Sequence, residues 1–276
     1  MRLVKEYRWW AGGLQSVSVW VVGLLYMATA WADAAGEHLA QKVYDRDNGK
    51  DVTSAVSMAL TEKNRSPRVR RMITYRVDKK SGEISTLIRF TEPADIEGTG
   101  LLTLDSPNKD ANQWIYLPAM GRVRRIDSSR KGGRFVNSDY YYEDLRDRKV
   151  AQDTHVLVGR DTINGVVCEI LESIPNESGN SVYSKRISWI DPVTYLPMRI
   201  DFYEKREDQP SKRWQMVKKG RIQGYWTLLD SIMTELASEH QTRLTVEKIV
   251  YDRRLPARLF STQVLEDEQS EQDFRP

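Results

Sequence analysis

Arg68-Val69-Arg70-Arg71-Met72-Ile73-Thr74-Tyr75-Arg76-Val77, a Lys79-Lys80-Ser81-Gly82 break, and Ile84-Ser85-Thr86-Leu87-Ile88-Arg89-Phe90 form the stretch that decides the fold. Val69, Ile73, Tyr75 and Val77 alternate with Arg68, Arg70, Met72, Thr74 and Arg76, a period of two that belongs to a strand with one wet face. The Lys/Ser/Gly break reads as a turn, and Ile84, Ile88 and Phe90 against Ser85 and Arg89 continue the alternation, so the two segments form a hairpin. Upstream, Val56, Met58 and Leu60 alternate with Ser57, Ala59 and Thr61. Downstream, similar segments recur over 101–104, 113–117, 122–126, 155–159, 165–174, 183–190, 196–204, 213–218, 225–236 and 243–251. About a dozen strands on short turns predict a mainly β fold, and an antiparallel sheet of that size curls toward a barrel or half-barrel rather than staying flat. Two stretches carry helical spacing: Glu37 to Arg46, with Leu39, Ala40, Val43 and Tyr44 on one face, and Asp139 to Arg148, with Tyr141 and Leu145 among charges.

The first 34 residues place Arg2, Lys5 and Arg8 ahead of an uncharged stretch from Trp9 to Trp31, followed by small-residue pairs that end at Ala34. That order is a cleavable secretion signal, with the cut expected after Ala34 and Ala28-Thr29-Ala30 and Ala30-Trp31-Ala32 as alternatives. The apolar centre is shorter than the roughly 20 residues of a membrane anchor. The expected organisation is a signal over 1–34, a single β domain over 35–265, and a polar, disordered tail over 266–276.

The chain carries 42 Lys and Arg against 39 Asp and Glu. Loss of three basic and two acidic residues with the signal leaves it nearly balanced, which argues against nucleic acid as a partner. Cys168 is the single cysteine, so no internal disulfide forms, and within Val166-Val167-Cys168-Glu169-Ile170 it reads as a small buried strand residue. His38, His155 and His240 stand far apart with no metal-ligand spacing, so no metal and no cofactor is expected. A nucleophile elbow and a phosphate-cradling glycine loop are both missing from the sequence, so catalysis is not expected. Glu143, Asp144 and Asp147 read as a solvated face.

Aromatic residues on the strands include Trp114, Tyr116, Trp189, Phe202, Trp214 and Trp226. Most belong to a core, but a curled sheet leaves a concavity that one helix cannot fill, and an apolar concavity binds apolar ligands. The apolar strand faces yield ten lining candidates: Ile73, Tyr75, Ile88, Phe90, Trp114, Tyr116, Met198, Ile200, Phe202 and Ile232. A register error of one residue would turn such a set outward. Arg122, Arg124 and Arg125, followed by Arg130, Lys131 and Arg134, form the one dense basic stretch. These arginines are candidates for contact with an anionic headgroup or an acidic partner, and pairing with Asp139, Glu143 and Asp144 is the more economical expectation.

Three segments carry a resemblance. Ala94-Asp95-Ile96-Glu97-Gly98-Thr99-Gly100-Leu101-Leu102, then Trp114 through Ile126 with its Leu117-Pro118-Ala119-Met120-Gly121-Arg122-Val123-Arg124-Arg125 centre, then Ser138-Asp139-Tyr140-Tyr141-Tyr142-Glu143-Asp144-Leu145 resemble successive signatures of the LolA-like outer membrane lipoprotein-sorting family. The resemblance spans roughly 44–265, with Asn137 where a glycine is common before Ser-Asp. It implies a curved antiparallel half-barrel capped by short helices around an apolar cavity, in the bacterial periplasm. The implied partners are the acyl chains of a lipid or lipoprotein, a membrane contacted transiently and, for this branch, an RND-type exporter. The implied role is non-catalytic carriage, with an exporter adaptor and a lipid or glycan hydrolase as alternatives.

Overall fold

The alternation read from the sequence becomes thirteen strands among the described residues of a computed structural model, which cover 34–79, 82–107, 109–177, 179–204 and 208–276. The expected signal, residues 1–34, lies outside them except for Ala34. The strands are β1 (Asp51–Thr61), β2 (Arg68–Asp78), β3 (Ile84–Glu92), β4 (Gly100–Ser106), β5 (Lys109–Leu117), β6 (Arg122–Ile126), β7 (Asp153–Ile163), β8 (Val166–Pro175), β9 (Tyr183–Ile190), β10 (Pro197–Glu204), β11 (Lys212–Ile222), β12 (Tyr225–Glu235) and β13 (Gln241–Tyr251). They form one antiparallel sheet in the order β6-β5-β4-β3-β2-β1-β13-β12-β11-β10-β9-β8-β7. Two meanders thus meet where β1 pairs with β13, from Val52 opposite Tyr251 to Thr61 opposite Gln241.

This order has a geometric consequence. Strands β6 and β7 are consecutive in the chain but sit at opposite edges of the sheet. Residues 127–152 therefore cross from one edge to the other, over what we term the inner face, and act as a strap. The sheet also curls: side chains from β1 and from β8 line one cavity. These strands are six steps apart, about 29 Å in a flat sheet at the usual strand spacing.

The strap is where the second expected helix falls, and it is not α-helical. Over 139–148 only a short 3-10 turn, Tyr142–Leu145, forms. Its side chains are drawn in divergent directions by partners on the sheet, which a single helical stripe could not reach. Asp139 accepts from His240 and Thr242 on or beside β13. Glu143 accepts from the Ser181 hydroxyl and the Val182 N–H. Asp144 accepts from Tyr183 on β9 and lies 3.8 Å from the Lys212 ammonium on β11. The Glu143 and Asp144 carboxylates are turned inward, with side chains 5% and 6% exposed, rather than forming a solvated face. Phe135, Tyr142 and Leu145 pack on Met72, Ile88 and Phe90 beneath the strap, each buried side chain contributing about 1.5–3 kcal/mol.

The first expected helix is present as α1, residues 34–44. Leu39 and Ala40 pack on Leu171 of β8 and Ile190 of β9. The approach is close: a Cβ on Gly36 would lie 2.5 Å from the His155 carbonyl oxygen on β7.

The tail beyond 265 is ordered, contrary to its polar composition. α2 (Thr262–Glu266) and a 3-10 turn, Glu268–Phe274, lie across the outer face of β2–β6. Arg89 on β3, 1% exposed, pairs with Glu271 at 2.6 Å. The same guanidinium donates to the carbonyls of Val264, Leu265 and Gly98. Gly100 leaves room for this contact, since a Cβ there would meet Leu265 at 2.8 Å and Arg89 at 2.9 Å.

A buried ion pair is costly to break on one side because the remaining charge loses its partner. Glu271→Gln is therefore expected to lower stability by about 3 kcal/mol or more, measured by urea unfolding at neutral pH. An unchanged midpoint would mean that the C-terminal segment is not held by this pair.

Candidate functional site

Between the inner face, α1 and the strap lies a cavity of about 700 Å³. One part of its wall is apolar, formed by Ile200 and Phe202 of β10, Trp214 of β11 and Leu228 and Met233 of β12. The alternation of the strands places these together: Ile200 is opposite Trp214, and Trp214 is opposite Met233, so all three share one face. α1 contributes Ala40, Val43 and Tyr44. A second part is charged. The strap brings Asp147, Arg148 and Lys149 to it, β2 brings Arg76, and the chain just after α1 brings Arg46.

Most of these charges are committed. Arg148 and Arg186 both pair with Asp153 at the start of β7. Arg76 pairs with Asp147 and lies 3.5 Å from Asp78. Burial presses the pKa of Arg46 and of Arg186 below the usual guanidinium value. Among the described residues, Arg46 has no carboxylate within salt-bridge distance, and its guanidinium donates to the Trp226 carbonyl at 2.9 Å. In the wall, His155 Nδ1 lies 2.9 Å from Ser173 Oγ and its Nε2 lies 3.0 Å from the Val150 carbonyl. His155 and Ser173 face each other across β7 and β8.

Of the ten lining candidates, Ile200 and Phe202 line the cavity. Ile88 and Phe90 lie on the inner face but under the strap, packed against Phe135. Met198 is buried in the cluster that holds Phe202 and Trp214, outside the cavity wall. Ile73, Tyr75, Trp114 and Tyr116 point to the outer face, where the C-terminal segment covers them. Ile232, opposite Gln215 and Arg243, also points outward. The physical cause is that β2–β6 are covered on both faces, so apolar alternation marks burial without marking the side. Met72, grouped with the polar positions by alternation, is in fact a buried inner-face residue.

The basic stretch is not part of this site. Arg122 and Arg124 sit exposed on the edge strand β6, and Arg125 donates to Asn112. Arg122, Arg124 and Arg125 do not form the expected pairing with Asp139, Glu143 and Asp144, because those carboxylates are taken by the strap's anchors on or beside β9, β11 and β13. Arg134 alone of the stretch reaches Asp139, at 3.4 Å, and also pairs with Glu235. Sequence reading missed Arg46, Lys149, Trp214 and Met233 as cavity residues. The helical spacing of Leu39, Ala40, Val43 and Tyr44 offered a signal for the α1 side, whereas nothing local marked Lys149.

A family model described as that of an uncharacterized protein matches residues 82–267. Two solved structures are similar at the level of sequence as well as fold. One is a domain from Vibrio parahaemolyticus described as outer membrane lipoprotein-sorting, with 28% identity, TM-score 0.80, and coverage of 85% of this chain and 99% of the other. The second is a DUF1329 family protein from Desulfovibrio piger, with 29% identity, TM-score 0.80, and coverage of 85% and 99%. A LolA superfamily protein from Nitrosomonas europaea, 17% identical over 82% of this chain and 97% of its own, shares the fold with TM-score 0.64. The search of curated proteins finds no match.

Asp105 of β4 accepts the N–H of Asp147 and so supports the strap beside the cavity. Burial raises its pKa to about 6 from an ordinary 3.8. Between these values the folded chain holds a proton that the unfolded chain has released, so this group's stabilising contribution is full below 3.8 and is lost as pH rises through 6. Asp105→Asn keeps an acceptor without the charge. It is expected to raise stability at pH 7 by about 1 kcal/mol and to reduce the pH slope between 4 and 6, measured by thermal unfolding across that window. An unaltered slope would show that Asp105 does not carry it.

Proposed function

The chain belongs to the LolA-like outer membrane lipoprotein-sorting family, and from that premise we propose that it is a periplasmic, non-catalytic carrier. It takes the acyl part of a lipid or lipoprotein into the cavity between sheet, α1 and strap, and releases it at another membrane. The observation that carries this reading is the cavity itself, about 700 Å³ that the protein's own side chains leave open on an apolar floor. That volume lies within the range of ligand sites, roughly 300–1,000 Å³. The signal-like order of residues 1–34 supports export from the cytoplasm. Among the described residues no helix is long and apolar enough to cross a membrane.

Each methylene moved from water to the floor contributes about 0.8 kcal/mol. Ten would give about 8 kcal/mol before ordering and association costs, a balance suited to cargo that must also leave. The exposed arginines of β6 are available for transient contact with a membrane or an RND-type exporter. An adaptor without cargo has no use for an open apolar cavity, which favours carriage.

Native mass spectrometry of the protein purified without detergent is expected to find a lipid that is released on denaturation. Ile200→Glu, which places a charge on the floor, is expected to weaken binding of a fluorescent fatty acid at least about tenfold with little loss of folding. A protein that is empty and binds no fatty acid or phospholipid would overturn the carrier reading.

The His155–Ser173 pair is the specific observation that favours a hydrolase as the second reading. Its hydrogen bonds would present the serine hydroxyl to a ring nitrogen whose tautomer the Val150 carbonyl sets. The same bonds satisfy two buried polar side chains on facing strands. Carriage expects the wild type and Ser173→Ala to hydrolyse p-nitrophenyl decanoate equally slowly. A rate that falls in the variant would give the pair a catalytic role.

A further inference from the structure

The cavity wall holds six cations, Arg46, Arg76, Arg146, Arg148, Lys149 and Arg186, against four carboxylates, Glu143, Asp144, Asp147 and Asp153. The excess is localised. Arg148 and Arg186 share Asp153, while Glu143 and Asp144 are engaged by the strap's own anchors. What remains is the corner where the end of α1, β2 and the strap converge. Among the described residues, Arg46 there has only the Trp226 carbonyl as a hydrogen-bond acceptor. Lys149 donates to the Tyr44 hydroxyl at 2.8 Å and lies 3.4 Å from the Gly82 carbonyl; Asp78 and Asp105 are near enough to feel its charge, but no carboxylate is in salt-bridge range among the described residues. Arg76 holds Asp147 and Asp78, but its Nε is buried and has no hydrogen-bond partner among the described residues. Arg46 and Arg76 are close enough to repel one another. Deeper in the same cavity, the hydroxyl of Tyr140, 6% exposed, lies near Ser231 and Trp214 but makes no well-formed hydrogen bond among the described residues.

Three cations against the carboxylates of Asp147 and Asp78 leave this partly buried corner short of negative charge, and buried donors without acceptors are costly. The apolar floor and the cationic corner belong to one cavity. We propose that this corner, formed by Arg46, Arg76 and Lys149, seats an anionic headgroup. The cargo is then an amphiphile that carries a carboxylate or phosphate, with its chain toward Phe202, Trp214 and Met233. This deepens the carrier reading and rests on it. Because Arg46 follows α1 and Lys149 belongs to the strap, the bound anion also ties both covering elements to β2.

Trp214 and Trp226 line the cavity, so intrinsic fluorescence follows occupancy. Titrations of the protein at pH 7 and low salt compare decanoate, 1-decanol and inorganic phosphate. Decanoate is expected to bind at least about tenfold more tightly than 1-decanol, as charge-assisted hydrogen bonds allow. Arg46→Gln and, separately, Lys149→Gln are expected to erase most of that preference while decanol binding persists, and Arg46→Lys is expected to restore part of it. Equal affinity of decanoate and decanol would overturn the headgroup site and leave the carrier reading standing. Binding of neither overturns both. Phosphate that competes with decanoate but binds far more weakly supports the assignment. Phosphate that binds as tightly as decanoate overturns it in favour of a site for a free anion.

Discussion

The structure depends on a constraint of connectivity: β6 and β7 follow one another in the chain but occupy opposite edges of a thirteen-stranded sheet. The intervening 26 residues must bridge those edges, and a bridge over one face defines that face as the inside. The strap is held along its length rather than at its ends. Arg134 pairs with Glu235, Asp139 bonds His240 and Thr242, Asp144 bonds Tyr183, and Arg148 pairs with Asp153. These partners lie on or beside β7, β9, β12 and β13, so the strap cannot lift away without stranding buried polar groups, each of which is costly to leave unpaired.

The two halves of the sheet solve the burial of their faces differently. The outer face of β2–β6 is covered by the C-terminal segment, which Arg89 clamps through one carboxylate and backbone carbonyls. The outer face of the other half stays partly wet and carries ion pairs along and across strands, with Asp201 held between Arg199 of its own strand and Arg213 of β11, and Asp230 by Arg243. These flanking arginines hold the Asp201 carboxyl below the usual carboxylate range although its burial opposes that. The inner face of the first half is filled by Phe135, Tyr142 and Leu145. The inner face of the second half is only partly filled by α1, and the cavity is the remainder.

That remainder has two characters because two kinds of element border it. Strand side chains supply an apolar floor, while the strap and the end of α1 supply charge. An element that crosses a curled sheet must present polar groups to satisfy its own irregular backbone and its anchors, so a charged rim beside an apolar floor follows from the architecture. Burial of an acyl chain and recognition of an anionic headgroup, the two parts of the proposed role, are therefore compatible demands on one site.

Strand number, the antiparallel curl, α1 and the resemblance carried by 94–102, 114–126 and 138–145 were legible in the sequence. Each rests on local periodicity or on a contiguous motif. Ile200 and Phe202 were legible as cavity residues for the same reason. Tyr75 and Trp114 show the limit: their alternation is as regular as that of Phe202, yet they lie beneath the C-terminal segment on the outer face. Glu271 shows it for polar residues, since a tail rich in Asp, Glu and Gln reads as solvated until one buried arginine on β3 claims it. The sequence by itself determined which residues form strands and which positions share a face. The tertiary structure alone decided which face is inside, because that depends on where the strap crosses and where the C-terminal segment docks, and both are set by contacts between residues more than a hundred positions apart.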